Sequence, residues 1–358
     1  MTLAIVTGAP GWLGTRLVQS LVRGVVDVPS LGPSDREVRV LALPGADTAE
    51  LEELGAQVRV VRGDVTDAAS LAPLFEGAKG ATVFHSAGII HPTKGTKQFY
   101  DVNVEGTRNM VEAAKAAGVR RFVHVSSNSP IGTNPTSDHV FDEEAPYNPY
   151  LTYGKTKMLA EEVVRRAHEG GELETVIIRP PWFYGPGQPP RQTLFFEMIR
   201  DGKAPIVGDG TNRRSMAYVD NICQGLLLCE KVDAAAGQTY WIADRRPYPM
   251  NEIIDTIERV MEEDFGVKCA HKRMKLPGFA SEVAWLVDTA IQGAGAYHQK
   301  MHVLSEMNKT IACSIAKAER ELGYDPKVAL DEGMRRSIQW MLDRGVDLRS
   351  TKNPGEKS

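Results

Sequence analysis

A short apolar run, Leu3–Thr7, passes directly into Gly8-Ala9-Pro10-Gly11-Trp12-Leu13-Gly14, and a helix-like stretch, Trp12–Val22, follows. Three glycines at this spacing, between a strand and a helix, restrict the fold sharply. Gly8 permits a tight turn, Gly11 removes the side chain that would block a pyrophosphate, and Gly14 lets helix and strand pack closely. The first helical turn, with Trp12 and Leu13, then offers free N–H groups and a partial positive charge to phosphates. An ordinary glycine-rich turn is the competing reading. Its position directly after the first apolar strand favours a dinucleotide site.

The rest of the first half alternates in the same way. Apolar runs occur at Val38–Leu43, Gln57–Val61, Ala81–His85, Arg121–Ser126 and Thr175–Arg179. Helical stretches separate them at Thr48–Leu54, Ala68–Phe75, Phe99–Ala117 and Leu151–His168. Apolar runs without strict alternation suit strands buried on both faces. Strands alternating with helices predict an α/β fold with a doubly wound parallel sheet, a Rossmann fold. After Arg179, the segment from Pro180 to Pro190 is crowded with proline and glycine and is expected to be irregular and exposed. The expected organisation is a dinucleotide-binding domain over residues 1–180, with 215–242 packing back on it. A smaller interleaved substrate domain then takes 181–214 and 243–345, and 346–358 form a tail.

Composition excludes several classes. The formal net charge of the 358 residues is −4, with no long run of one sign, so a nucleic-acid surface is not expected. Only Arg349–Lys357 is locally basic. The four cysteines, Cys223, Cys229, Cys269 and Cys313, form no C-x-x-C pair, so no metal site and a reducing, cytoplasmic setting are expected. No apolar stretch is long enough to span a bilayer, and the start does not read as a signal peptide.

Tyr153-Gly154-Lys155-Thr156-Lys157 places Tyr153 and Lys157 four residues apart, on one helical face. A lysine beside a phenol stabilises the phenolate and lowers its pKa, which makes an acid/base near neutral pH. Ser126-Ser127 ends the fifth apolar run and faces the same crevice. An isolated Y-x-x-x-K is usually a surface pair. Downstream of a serine pair and a glycine-rich loop it is far more specific.

With these motifs the chain resembles the extended short-chain dehydrogenase/reductase family, also called the NAD-dependent epimerase/dehydratase family. The resemblance covers Leu3 to about Met341, and the pieces arrive in the family's order. They are Thr7–Gly14, Gly63–Asp64, His85–Gly88, Asn103–Thr107, Val125–Gly132, Tyr153–Lys157, Arg179–Pro186 and Tyr218–Asn221. The resemblance implies that Tyr153 is the general acid/base and that Lys157 is its partner, holding the nicotinamide ribose. It makes Ser127 the donor to the substrate oxygen, with Ser126 as the alternative. Gly8, Gly11, Trp12, Leu13 and Gly14 would line the cofactor, with Asp64 and Val65 at the adenine. Ala87, Gly88, Asn103, Pro180 and Trp182 would lie near the nicotinamide. From the residues alone, Asp64 reads equally well as a helix cap. The second strand ends Ala42-Leu43-Pro44, with neither an acid for ribose hydroxyls nor a base for a 2′-phosphate, and Arg16 and Arg39 are the arginines within reach. NAD is preferred, with NADP left open.

Within the family, the Thr-Asp-Glu of sugar-nucleotide dehydratases is replaced by Ser127-Asn128-Ser129. Gly208–Arg214 resembles a loop whose arginine grips a nucleotide-sugar diphosphate, but Arg191 stands where such enzymes carry an asparagine. Asn128, Arg191 and Arg214 join Ser127 as candidate substrate contacts. The ending Cys313–Trp340 resembles that of 3β-hydroxysteroid dehydrogenase-like and dihydroflavonol reductase-like members. The expected function is therefore NAD(P)-dependent interconversion of a secondary alcohol and a ketone on a fairly apolar small molecule, with a nucleotide-sugar epimerase as the alternative. Leu276–Ala290 is apolar at helical spacing, and its stripe is expected to pack on the second domain. Membrane docking is the weaker alternative, because Glu282 and Asp288 interrupt the helix. Met110, Val111, Met158 and Val163 on the two long helices, with the family resemblance, suggest a homodimer built from a four-helix packing.

Overall fold

The apolar runs assemble side by side into one sheet in a computed structural model that describes residues 3–346 and 348, so that Arg349–Lys357 lie outside the described residues. The strands are β1 (Ala4–Thr7), β2 (Val38–Ala42), β3 (Val58–Arg62), β4 (Thr82–His85), β5 (Arg121–Val125), β6 (Glu174–Arg179) and β7 (Thr239–Trp241). Their order across the sheet is β7-β6-β5-β4-β1-β2-β3, and every pair is parallel. The sheet is a Rossmann fold. All residues of β1, β2, β4 and β5 are buried, as helices on both faces require. Strand order reverses between β1 and β4. The crevice beyond their carboxyl ends is where such sheets bind ligands.

The seventh strand has only three residues, too few to show a pattern in the sequence. It is reached through the helix Val219–Lys231, which packs back against Trp12–Arg23 and β5. The other lobe has its own core, with Ile253, Ile254, Ile257, Val260 and Met261 of helix Met250–Glu263 set against Met334, Ile338 and Met341 of helix Leu330–Asp343.

Three sequence expectations need correction. First, the Pro180–Pro190 segment is largely buried rather than exposed, and Trp182–Tyr184 is a strand paired in parallel with Met216–Tyr218. The Trp12 indole donates to the Pro186 carbonyl at 2.7 Å, and the Tyr184 hydroxyl donates to Asp244 at 2.7 Å, so the prolines shape a tethered crossing between lobes. Second, Met274–Leu276 is a strand against Pro205–Val207, and the helix that follows, Phe279–Gly293, turns its stripe outward. Phe279 is 68% exposed, Leu286 61% and Val283 52%, whereas Ser281, Ala284, Asp288 and Gln292 are buried. Third, Met110, Val111 and Val163 are buried in the core that contains Leu74, Phe122 and Ile177, whereas Met158 is half-buried.

Candidate active site

The phosphate loop closes on itself. Gly8 has φ +88°, and a Cβ there would fall 2.5 Å from Ser86 Oγ and 2.8 Å from the Ala87 amide. A Cβ on Gly11 would lie 2.6 Å from the Gly8 carbonyl oxygen, and one on Gly14 2.5 Å from the same atom. Gly11 is thus required by the loop's own packing as well as by room for a phosphate. Helix Trp12–Arg23 starts with no side-chain cap and no acid in its first turn, so its leading N–H groups remain free for an anion. This combination of a side-chain-free cradle and unsatisfied donors fits a dinucleotide pyrophosphate.

Around it stand the other expected cofactor residues. The Thr7 hydroxyl accepts from the Ala87 amide at 3.2 Å, tying the ends of β1 and β4 together. Asn103 lies in a π-helical turn, Tyr100–Glu105, a distortion frequent at functional sites. Its Oδ1 accepts from the Ile89 amide at 2.9 Å, and its Nδ2 donates to Ile89 O at 3.1 Å and to Thr156 Oγ1 at 3.2 Å. Asn103 therefore fixes the loop carrying Ala87 and Gly88 to the catalytic helix, Leu151–Glu169. Asp64 accepts from the Thr66 amide in a local turn, while Asp67 caps the next helical turn, and Val65 is buried. Pro180 is buried, and Trp182 packs on Phe195.

The arginines suggested for a 2′-phosphate are both committed. Arg16 forms an ion pair with Asp220, and Arg39 binds Glu37 and the carbonyls of Leu74 and Glu76. A residue that sequence reasoning missed, Arg62, reaches the loop after β2, where it donates to Ala46 O at 2.8 Å and to Thr48 Oγ1 at 2.7 Å.

The two serines after β5 separate cleanly. Ser126 Oγ donates to the buried Glu161 carboxylate at 2.6 Å, which also receives Tyr147 OH and both Arg179 Nε and Nη2. Ser126 is part of this internal network. Ser127 Oγ lies 3.3 Å from Ser129 Oγ and 3.4 Å from Asn128 Oδ1, and it is the hydroxyl that acts on the Tyr153 phenol. Ser126 is thus turned to Glu161, and Ser127 is the serine whose hydroxyl influences the tyrosine.

Burial pushes the Tyr153 phenol up to about 12; the Ser127 hydrogen bond opposes this, Glu306 adds to it and the Arg191 charge opposes it. Lys157 is not among these influences. Its Nζ donates to the Val125 carbonyl at 2.8 Å, and burial lowers its pKa to about 8. Below Lys157 the rings of His85 and His124 stack at 5.5 Å, and burial, aided by the lysine charge, holds both neutral.

Substrate-side residues arrive from four separate stretches. Phe99 packs on Tyr153 with ring centroids 5.9 Å apart, and Tyr297 meets Phe99 edge-on at 5.7 Å. The Tyr297 hydroxyl is hydrogen-bonded to His91 Nδ1 at 2.6 Å. Arg191, near the start of helix Pro190–Arg200, makes no ion pair among the described residues, and its charge acts on Tyr153, His91 and Tyr297. Arg214 is elsewhere engaged: it donates to the Glu306 carbonyl near the end of helix Gln299–Glu306. The Arg191 charge is thus felt at Tyr153, whereas Arg214 is tied into the second lobe. A cavity of about 940 Å³ between Thr133–Asn148 and Val207–Asn212 is lined by none of Ser127, Tyr153 and Lys157. His91 and Tyr297 carried no motif in the sequence. Only the fold makes them neighbours.

The sequence profile of the 3-beta hydroxysteroid dehydrogenase/isomerase family matches residues 5–277. The chain belongs to that family. Among its relatives is an uncharacterized protein, y4nL, of Sinorhizobium fredii, 50% identical over 96% of both chains. The 3beta-hydroxysteroid-dehydrogenase/decarboxylase isoform 1 of Arabidopsis thaliana is 30% identical over 93% of this chain and 78% of its own. The 2-alkyl-3-oxoalkanoate reductase of Stenotrophomonas maltophilia is 28% identical over 93% of this chain and 97% of its own. In three dimensions, the crystal structure of DesIV, a dTDP-glucose 4,6-dehydratase of Streptomyces venezuelae with NAD bound, superposes with a TM-score of 0.74 at 27% identity, covering 96% of this chain and 98% of that one. This member of the 3-beta hydroxysteroid dehydrogenase/isomerase family is thus an enzyme of the extended short-chain dehydrogenase/reductase type, in a class that includes NAD-dependent oxidoreductases and epimerases. Among the described residues no helix is long and apolar enough to cross a membrane, and no cluster of ligating side chains suits a metal.

Proposed function

We propose that this chain is an NAD(P)-dependent oxidoreductase, with NAD preferred, that interconverts a secondary alcohol and a ketone on a fairly apolar small molecule carrying a carboxylate near the reacting carbon. The observation that carries the redox reading is that the Ser127 hydroxyl, at the carboxyl end of β5, acts on the Tyr153 phenol while Ser126 is turned to Glu161. Ser127 holds the substrate oxygen and Tyr153 gives or takes its proton. Lys157 supports the tyrosine from the same helical face. The nicotinamide, when bound, exchanges the hydride with the carbinol carbon, and its positive ring favours the phenolate.

The carboxylate rests on Arg191. A guanidinium without a counter-ion among the described residues, its charge felt at Tyr153, suits an anionic substituent on the substrate. Two relatives are named for such chemistry, one as a decarboxylase and one as a reductase of a 3-oxoalkanoate. The epimerase alternative needs a grip on a diphosphate, and Arg214, its candidate, already serves the Glu306 carbonyl. Four unpaired thiols fit a cytoplasmic setting. A homodimer remains part of the proposal on family resemblance alone.

A screen following absorbance of the reduced cofactor tests the reading. A 2-alkyl-3-oxo acid should turn over, and Arg191→Ala should raise its KM roughly tenfold or more, since a charge-assisted contact contributes ~1.5–3 kcal/mol. The matching ketone without the carboxylate should be indifferent to that substitution. Equal effects on acid and ketone would remove the carboxylate. Tightly retained NAD, with sugar-nucleotide epimerisation lost in Arg214→Ala, would replace the oxidoreductase by the epimerase.

A further inference from the structure

The carboxylate of Glu161 stands behind the catalytic face, one helical turn beyond Lys157 and two beyond Tyr153. It is fully buried, and each of its oxygens takes two hydrogen bonds. Oε1 accepts from Ser126 Oγ at 2.6 Å and from Arg179 Nε at 3.0 Å. Oε2 accepts from Tyr147 OH and from Arg179 Nη2, both at 2.7 Å, and the Arg165 guanidinium lies 3.8 Å away. Burial opposes the charge on Glu161, but Arg179, Ser126 and Tyr147 outweigh it, so the group is held as a carboxylate.

Stability alone does not account for this arrangement. A buried ion pair recovers little more than the desolvation of its two charges, and apolar side chains of similar volume would serve the core as well. What the pair supplies is direction. Arg179 ends β6, and Ser126 directly follows β5, its amide donating to Ile178 O at 2.8 Å. Glu161 therefore ties the catalytic helix to the carboxyl ends of two neighbouring strands.

Ser126 sits between the two positions that the chemistry uses. The residue before it, Val125, offers the carbonyl to which Lys157 Nζ donates at 2.8 Å. The residue after it, Ser127, holds the substrate oxygen in the function proposed above. A rotation of the Ser126 peptide would move both at once. The Glu161 charge also acts on Lys157, where it favours the ammonium that burial disfavours. The other groups facing Lys157 are His124, whose Nε2 lies 3.4 Å from Nζ, and His85, stacked on His124. Both are held neutral and bring no negative charge. Glu161 is the carboxylate that supports the lysine.

We infer that Glu161 is a positioning residue for the reaction at Tyr153: through the Ser126 hydroxyl it fixes the short segment that carries both the Lys157 acceptor and Ser127. It acts through these groups and not on the reacting atoms. The inference rests on the roles proposed for Ser127, Tyr153 and Lys157, and not on the identity of the substrate.

Two substitutions in the full chain test it. Ser126→Ala removes the grip and keeps the Glu161–Arg179 pair, so the fold is retained. With whichever substrate the parent chain turns over, kcat should fall roughly ten- to a hundredfold, the cost of a small misplacement, while KM and the cofactor Kd stay within about twofold. Ser126→Thr, which restores a hydroxyl, should recover most of the loss. Glu161→Gln keeps the shape and removes the charge. In nitrogen NMR of the lysine-labelled chain, with the Lys157 signal identified by its loss in Lys157→Met, the Lys157 titration midpoint should fall by about one pH unit or more. This titration needs no substrate, so a parent chain that turns over nothing removes the proposed function while the midpoint still decides the inference. Should Glu161→Gln not fold, the Ser126 variants decide it. A Lys157 midpoint that Glu161→Gln does not move overturns the inference. So does a Ser126→Ala chain with kcat intact, whatever its stability, because the network is then structural only.

Discussion

Helix Trp12–Arg23 and helix Phe279–Gly293 carry apolar residues at the same helical spacing, yet present them to opposite environments. In the first, Leu13, Leu17, Val18 and Leu21 are buried, because the sheet beside them offers an apolar face with its hydrogen bonds already made. In the second, the neighbours are unsatisfied groups: the leading amide of the catalytic helix, a carbonyl near the end of helix Gln299–Glu306, and the His302 ring. Leaving such buried groups unpaired costs about 1–3 kcal/mol each, which offsets what the exposed apolar side chains forgo by staying in water. The polar face therefore turns inward. Spacing identifies an amphipathic helix; the chemistry of its neighbours decides which side is inside.

The two regions also divide the work, and four substitutions can break that division. The largest effect belongs to the catalytic side. Tyr153→Phe keeps the ring and removes the proton, so turnover should fall on the order of 10²–10⁴-fold with cofactor affinity nearly unchanged. Near-normal turnover would take the acid/base role away from Tyr153.

A matched pair of leucines measures the packing contrast. Leu17→Ala, at a residue with no exposure, should cost about 2–5 kcal/mol in a chemical-denaturation experiment. Leu286→Ala, at 61% exposure, should stay within about 0.5 kcal/mol of the parent. Comparable losses at both would mean that the Phe279–Gly293 stripe is covered in the free chain.

The smallest effect is one of pH. Burial lowers the His302 pKa, but the Asp288 hydrogen bond and the Glu306 charge outweigh it, and the net shift is upward. A histidine raised on folding contributes stability that is complete below its unfolded value near 6.5 and is lost as pH rises through the higher folded value. Amide exchange in Gln299–Glu306, corrected for intrinsic rate, should therefore show more frequent opening at pH 8.5 than at pH 6, while Trp12–Arg23 stays unchanged. Asp288→Asn should flatten the dependence, and an unaltered pH response in that variant would show that the Asp288 pairing is not its source.

Much of the dinucleotide half was legible in the sequence, because strand, turn and helix are local patterns. Gly8, Gly11 and Gly14 sit where backbone meets backbone, and Tyr153 and Lys157 share a helix. Illegible were the features that need distant partners. Nothing near Ser126 shows that Glu161, 35 residues on, accepts from it. Nothing near Arg214 points to the Glu306 carbonyl, and nothing near His91 points to Tyr297. The proline-rich crossing misled for the same reason: proline argues for an irregular path, but its burial depends on Trp12, more than 170 residues earlier.

The contacts that forbid a Cβ at Gly8, Gly11 and Gly14 have a kinetic consequence. Gly8 lies against Ser86 and Ala87, and Gly11 and Gly14 lie against Gly8, all within the protein itself. A loop so enclosed is preorganised, and a dinucleotide does not have to freeze it. Ordering a residue's backbone costs ~1–2 kcal/mol, and at these positions that entropy is settled when the chain folds, not when the cofactor binds. Association should then run at a rate set by diffusion and orientation, with no slow isomerisation of the loop, and differences in affinity among dinucleotides should appear in how fast they leave.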